Sequence, residues 1–289
     1  MISRRNLLLS GLFAGQAFAC LKARGQSRAD EIQSALSDLE RAHGGRLGVC
    51  ILDVATGRRV ERRADEKFAM CSTAKFISAA FVLKRVDAGE DTLERRVAFT
   101  KENLVAYSPV TQTHAGEGLT LGELCEAAMT LSDNTAANLM FESFGGPPAL
   151  TQFVRSLGDE VTRFDRIETA LNEATPGDPR DTTTPAAMAE DMRKLVLGDA
   201  LSAKSREQLA AWLVANKTGD SRLRAGIPKE WRVGDKTGSG DNGATNDIAV
   251  IWPPDRGPII IAAYFAESTE PKEARYGALA EVGRIAVRT

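Results

Sequence analysis

The spacing of apolar positions changes several times along the chain, and each change predicts a different element. Residues 30–43 place Ile32, Ala35, Leu36 and Leu39 at helical intervals before Gly44-Gly45 ends the run, which predicts a helix. Arg46 to Val54 (RLGVCILDV) is a continuous, β-favouring apolar stretch. With the turn Ala55-Thr56-Gly57 and a second strand over Arg58 to Arg63 it predicts a hairpin. From Ser72 to about Thr218 the pattern is mostly helical, interrupted by loops. Strands return from Trp231 onward as WRVGDKTGS, TNDIAVIWP and GPIIIAAYF, each bounded by Gly, Pro, Asn or Asp, and Lys272 to Val287 reads as a closing helix. Two β-rich ends around a helical middle predict an α+β fold. Both ends would build one five-stranded antiparallel sheet flanked by helices, and the middle would form a second lobe across a cleft. The expected boundaries are 26–70 with 215–289 for the α/β lobe and 71–214 for the all-α lobe.

Composition removes several classes of function. With 43% apolar and 26% charged residues the chain has ordinary globular proportions, so disorder and collagen-like repeats are excluded. A net charge of −2 without a basic stretch argues against a nucleic-acid partner. Only two histidines are present, so a histidine-rich zinc site is not expected, and neither is any other metal or cofactor. No apolar run reaches the roughly 18 residues that span a bilayer, so stable membrane insertion is not expected either.

Residues 1–19 read as a secretory leader: a cationic start, an apolar stretch through Leu7, Leu8, Leu9, Leu12 and Phe13, then small residues ending Ala17-Phe18-Ala19. Ser3-Arg4-Arg5-Asn6-Leu7-Leu8 fits the paired-arginine signal of the route that exports already folded proteins. Cleavage near Ala19 and residence in the periplasm are expected, a lipid anchor on Cys20 being the less favoured alternative. The cysteines Cys20, Cys50, Cys71 and Cys125 allow three connectivities and their spacing selects none, so no structural disulfide is expected.

Three short motifs carry the candidate chemistry. Ser72-Thr73-Ala74-Lys75 opens an apolar helix. Ser72 thus sits near the positive end of a helix dipole, with Lys75 one turn on along the same face as a possible base. Ser132-Asp133-Asn134 follows the helical stretch Leu121 to Leu131, and Lys236-Thr237-Gly238 lies in a strand with small flanking residues that would let a substrate lie alongside. Each has an ordinary alternative, the first two as helix caps. A second Lys-Thr-Gly, Lys217-Thr218-Gly219, follows an apolar helical run and reads as a helix end with Gly219 as C-cap.

Taken in order, SxxK, SDN and KTG are the set shared by class A β-lactamases and penicillin-binding proteins. Over essentially its whole mature length the chain resembles a class A serine β-lactamase, and the segment from Arg166 to Asp181 resembles that family's omega loop. The resemblance implies hydrolysis of penicillins and cephalosporins through an ester on Ser72, with antibiotic resistance as the outcome. Glu168 and Asn172 would hold the water that cleaves the ester, and Arg166 with Asp181 would tie the loop ends. The backbone N–H groups of Ser72 and Ser239 would form the oxyanion hole. Lys75, or Glu168 through its water, would activate Ser72, and Ser132 would pass a proton to the departing nitrogen. Asn134 would bind the substrate's side-chain amide, Lys236, Thr237, Gly238 and Ser239 would line the carboxylate site, and Tyr107 would wall the cleft entrance. A monomer is expected, because one chain holds one complete catalytic set.

The chain also departs from its family. Thr245 stands where many relatives place an arginine that supports the carboxylate site, and Arg222 matches an alternative arginine expected to compensate. Ala79 and Gly240 stand where some relatives carry cysteines that pair with counterparts of Cys125 and Cys71, so neither bond can form and Cys71 is expected to be a small buried apolar residue. Thr169 replaces a proline preceded by a cis bond, which leaves the isomer open here. Ser239-Gly240-Asp241 resembles the cefotaxime-hydrolysing subgroup and puts Asp241 among the candidate substrate contacts. The alternatives are a penicillin-binding D,D-peptidase, which would lack the omega-loop glutamate, and a β-lactam sensor that stays acylated.

Overall fold

The computed structural model describes residues 31–289. The leader expected over 1–19 and the alternative anchor at Cys20 lie outside the described residues. Five strands, β1 (Arg46–Asp53), β2 (Arg59–Arg62), β3 (Arg232–Ser239), β4 (Thr245–Trp252) and β5 (Ile259–Ala266), form one antiparallel sheet in the order β2-β1-β5-β4-β3. The helices are α1 (31–43), α2 (Ala74–Asp87), α3 (Leu121–Thr130), α4 (Asn134–Phe144), α5 (Gly146–Ser156), α6 (Pro185–Met192), α7 (Ala203–Val214) and α8 (Lys272–Val287). The pairing of β1 with β5 runs from Arg46 opposite Ala266 to Asp53 opposite Ile259, and so joins the two ends of the chain.

Both faces of this sheet are covered, which is why its strands read as unbroken apolar runs rather than alternating ones. Leu47, Val49 and Ile51 of β1 and Ile259, Ile261 and Phe265 of β5 pack against Leu36 and Leu39 of α1 and Leu279, Val282 and Ile285 of α8. The intervening residues Cys50, Leu52, Ile260, Ala262 and Tyr264 point the other way, into a larger core shared with α2 to α7. α2 stands at the centre of that core. Its residues Ala74 to Ala80, Val82 and Leu83 are all buried, as expected of a helix that is apolar nearly all round. Lys75 lies in its first turn, and Ser72 in the 3-10 turn Cys71–Thr73 directly before it.

Local sequence explains where the other site-bearing elements begin. Asp133 caps α4 by accepting the Ala136 N–H at 2.8 Å, and the same carboxylate accepts the N–H groups of Val110 and Thr111, both at 2.9 Å. Thr184 caps α6 through the Ala187 N–H at 3.2 Å, with Pro185 at the first helical position. Two pairings of two residues each, Phe68–Ala69 with Thr182–Thr183 and Arg96–Val97 with Leu119–Thr120, are too short for any periodicity to announce. Cys50, Cys71 and Cys125 are buried free thiols. No helix among the described residues is long and apolar enough to cross a membrane.

One expectation is corrected. α7 ends at Val214 with Ala215 as its C-cap, so Gly219 caps nothing. It lies on a loop running against β3, where a Cβ would fall 1.7 Å from Asp235 Oδ2. Close approach, rather than helix termination, demands the glycine there.

Candidate active site

Lys75 is the hub at which three stretches of chain meet. Its Nζ donates to Ser72 Oγ and Asn134 Oδ1, each at 2.7 Å, and reaches the Ser132 carbonyl at 3.2 Å and Ser132 Oγ at 3.3 Å. Glu168 Oε1 lies 2.6 Å from the same ammonium and accepts from Ser72 Oγ at 3.3 Å. In the Ser132-Asp133-Asn134 motif Asp133 is the helix cap, while the residues on either side of it turn toward Lys75. Capping and chemistry share one motif because the cap sets the direction of both neighbours.

The segment 166–181 is tied at its base. Arg166 Nε donates to Asp181 Oδ2 at 2.6 Å, and the N–H groups of Asp165 and Arg166 donate to Asp181 Oδ1 at 2.8 and 2.9 Å. Arg166 also pairs with Glu173. On the inner side of the loop Asn172 Nδ2 donates to Glu168 Oε2 at 2.5 Å, while Asn172 Oδ1 is buried with no hydrogen-bond partner. Asn138, one turn beyond Asn134 on α4, grips Glu168 from beneath. Its amide donates to the Glu168 carbonyl and its oxygen accepts the Glu168 N–H, both at 2.8 Å. The Glu168–Thr169 peptide bond is cis.

β3 forms the opposite wall. Lys236 is fully buried and donates to Ser132 Oγ at 3.1 Å and to the Thr237 carbonyl at 2.9 Å. Burial, reinforced by the positive charge of Lys75, pushes its ammonium down to about 7. Ser132 Oγ therefore bridges two lysines. β3 lies so close to the residue before the Cys71–Thr73 turn that a Cβ on Gly238 would sit 2.8 Å from the Met70 carbonyl. Asn246 of β4 donates to the carbonyls of Ala69 and Met70 at 2.9 and 3.1 Å, pinning the same segment. Arg222 is buried behind the strand. It donates to the Gly238 and Asn246 carbonyls and to Ser239 Oγ, all at 2.7 Å, and the Tyr276 ring covers its guanidinium at 4.4 Å.

These walls enclose a cleft of about 540 Å³ lined by Ser72, Tyr107, Ser132, Asn134, Asn172, Lys217, Thr218, Arg222, Thr237, Ser239 and Tyr276. Lys75, Glu168 and Lys236 lie beneath that lining. Tyr107 is 62% exposed at the rim, and φ is +60° there. Asp241 is not among the lining residues. It is exposed beyond the end of β3, where its N–H donates to the Asn172 carbonyl at 2.9 Å. Cys71, next to Ser72, is buried, and that burial pushes its thiol up to about 12, so it packs rather than reacts.

Asn138, Asn246 and Tyr276 belong to this geometry but were not singled out by sequence reasoning, and Lys217 and Thr218, which line the cleft, were read only as part of a helix end. Asn138 carries a legible signal, a second asparagine four residues beyond Asn134 on one helix face. Tyr276 carries none, because only the packing of α8 brings it over Arg222.

The sequence profile of the Beta-lactamase enzyme family matches residues 29–289. β-Lactamase OXY-1 of Klebsiella oxytoca is 48% identical over 278 residues, covering 96% of either chain. β-Lactamase CTX-M-97 of Escherichia coli is 49% identical over 259 residues, 90% of this chain and 89% of that one. Among solved structures, an ancestral (GNCA) class A β-lactamase superposes with a TM-score of 0.88 at 64% identity, covering 89% of this chain and 98% of the other. The chain belongs to the β-lactamase enzyme family, as a serine enzyme of class A that hydrolyses β-lactam antibiotics.

Proposed function

We propose that Ser72 is the residue acylated by the β-lactam and that Glu168 with Asn172 directs the water that frees it. The observation that carries this is the inward placement of Glu168. Its carboxylate is buried, 3.3 Å from Ser72 Oγ and held by Asn172, whose buried carbonyl oxygen is free to accept a hydrogen bond from that water. Both candidate bases for acylation reach the nucleophile, Glu168 at 3.3 Å and Lys75 at 2.7 Å, the lysine acting once its ammonium has passed a proton to Glu168 Oε1 at 2.6 Å. As the ring opens, the Ser72 proton moves to that base and the lactam nitrogen takes one from Ser132. Lys75 or Lys236 then reprotonates Ser132, since both ammonium groups lie within 3.3 Å of its oxygen. The oxyanion would be held by the N–H groups of Ser72 and Ser239, a donor worth ~3–4 kcal/mol each in such sites.

Thr237, Ser239 and the charge of Lys236 would hold the substrate carboxylate, with Arg222 supporting Ser239 from behind. Asn134 would take the side-chain amide and Tyr107 would flank it. Division into an α/β lobe (26–70 with 215–289, of which 26–30 lie outside the described residues) and an all-α lobe (71–214), action as a monomer, and export to the periplasm after cleavage near Ala19 complete the proposal. The likeness to cefotaxime-hydrolysing relatives at 239–241 extends the substrates to oxyimino cephalosporins. A chromogenic cephalosporin tests the mechanism. Wild type is expected to give many turnovers, whereas Glu168→Ala gives one equivalent of product and a stable adduct whose mass maps to Ser72. A single burst from wild type would instead indicate a D,D-peptidase or a sensor.

A further inference from the structure

The two Lys-Thr-Gly motifs of this chain lie side by side. Thr218 Oγ1 is 2.5 Å from Thr237 Oγ1, and Asn216 donates to Asp235 at 2.8 Å, so residues 216–219 run along β3 beside Asp235-Lys236-Thr237. On its other side the loop is held by the Lys217 N–H, which donates to the Thr130 carbonyl at 2.9 Å, two residues before Ser132. The backbone of Lys217 is therefore fixed between the Ser132 turn and the carboxylate-binding strand. Its side chain is exposed and lines the cleft, no carboxylate pairs with it among the described residues, and no acid lines the cleft. The lysine of the first motif is buried, while that of the second faces incoming substrate.

We infer that Lys217 is a specificity-determining residue that favours β-lactams carrying a second anionic group at the carboxylate end of the molecule, such as cephalosporins with an acidic substituent at C3. The inference rests on the acyl-enzyme reading above, which places the ring carboxylate at Thr237 and Ser239. In that pose a C3 substituent extends from the six-membered ring toward the same end of the cleft, where Thr218 anchors the lysine. A neutral C3 group makes no charged contact there, whereas an anionic one meets an exposed ammonium. An exposed pair of this kind is screened by salt, so the effect is a preference of about threefold rather than an absolute requirement.

Cefotaxime and ceftriaxone share one acylamino side chain and differ at C3, neutral acetoxymethyl against an acidic triazine thioether. The measurement is the ratio of kcat/KM for ceftriaxone to that for cefotaxime in wild type, Lys217→Gln, Lys217→Arg and Lys217→Glu. The ratio is expected to fall about threefold in Lys217→Gln, further in Lys217→Glu, and to hold in Lys217→Arg. The change should sit in KM, and the wild-type and Lys217→Gln ratios should converge at 1 M salt. An unchanged ratio in Lys217→Gln and Lys217→Glu overturns the inference, as does an equal loss in Lys217→Arg, which would mark a packing role. Failure of wild type to turn over a chromogenic cephalosporin would overturn the acyl-enzyme reading and the inference together, while failure on cefotaxime and ceftriaxone alone would overturn the oxyimino assignment and the inference. Normal turnover with an unmoved ratio would overturn the inference alone.

Discussion

Lys75 has more acceptors around it than protons to give. Ser72, Ser132, Asn134 and Glu168 all lie within 3.3 Å of one ammonium, so a small displacement changes which of them it serves. Lys236 is different, because burial and the neighbouring positive charge hold its ammonium near the point of losing its proton, at about 7. As pH rises through that point the free enzyme loses the charge proposed above to attract the substrate carboxylate. The expected outcome is an alkaline fall in kcat/KM set by Lys236. A weaker fall is expected in kcat, since bound carboxylate favours the charged form. Lys236→Arg keeps its charge throughout and should move the fall to higher pH. A profile unmoved by the arginine would assign the limb to another group.

At the level of elements, the omega loop is held at both ends by charge and in its middle by a helix. Asn138 fastens Glu168 to α4, and Arg166 with Asp181 closes the base. Asp159, three residues beyond α5, and Asp191 on α6 are both buried. Among the described residues no other group donates to Asp159 Oδ2 or to the oxygens of Asp191, so the two carboxyls are left to share a proton with each other. Burial and the nearby Asp159 push Asp191 up to about 9, with Lys194 acting against the shift and Glu190 for it. The folded chain thus retains a proton that an unfolded aspartate releases near pH 4. Stability from this group is full below pH ~4 and is lost as pH climbs toward 9. Asp191→Asn puts a neutral donor beside Asp159 and is expected to stabilise the fold by about 1–3 kcal/mol at pH 8. Melting curves at pH 6 and pH 9 check this, since wild type should lose more between them than the variant. Equal losses would exclude Asp191 as the titrating group. The motif letters could not reveal this pair, because a lone aspartate on a helix reads as a surface residue until its neighbours are known.

For the whole molecule, the pairing of β1 with β5 makes the sheet depend on both ends of the chain, and the sheet in turn holds β3 against the turn that carries Ser72. Damage to the sheet core should therefore reach the site without touching it. Ile261 lies between α1 and α8 and is fully buried, and its truncation to alanine is expected to cost about 2–5 kcal/mol. Helical signal and hydrolytic activity should be lost in one transition at the same lowered temperature. Separate transitions would show that the helical lobe stands without the sheet.

Periodicity and turn residues were enough to place the sheet strands and the closing helix within two residues of their observed ends, because the sheet's apolar runs and their Gly and Pro boundaries are local. Motif order was enough to single out Ser72, Lys75, Ser132 and Lys236, since each motif is itself a short local pattern, whereas Glu168 was named only through the resemblance of 166–181 to the family's omega loop. The proximity of the second Lys-Thr-Gly to the first, the cover of Tyr276 over Arg222 and the burial that depresses Lys236 depend on contacts between segments far apart in the chain. Their energies come from packing and exclusion of water, which no single stretch of sequence contains.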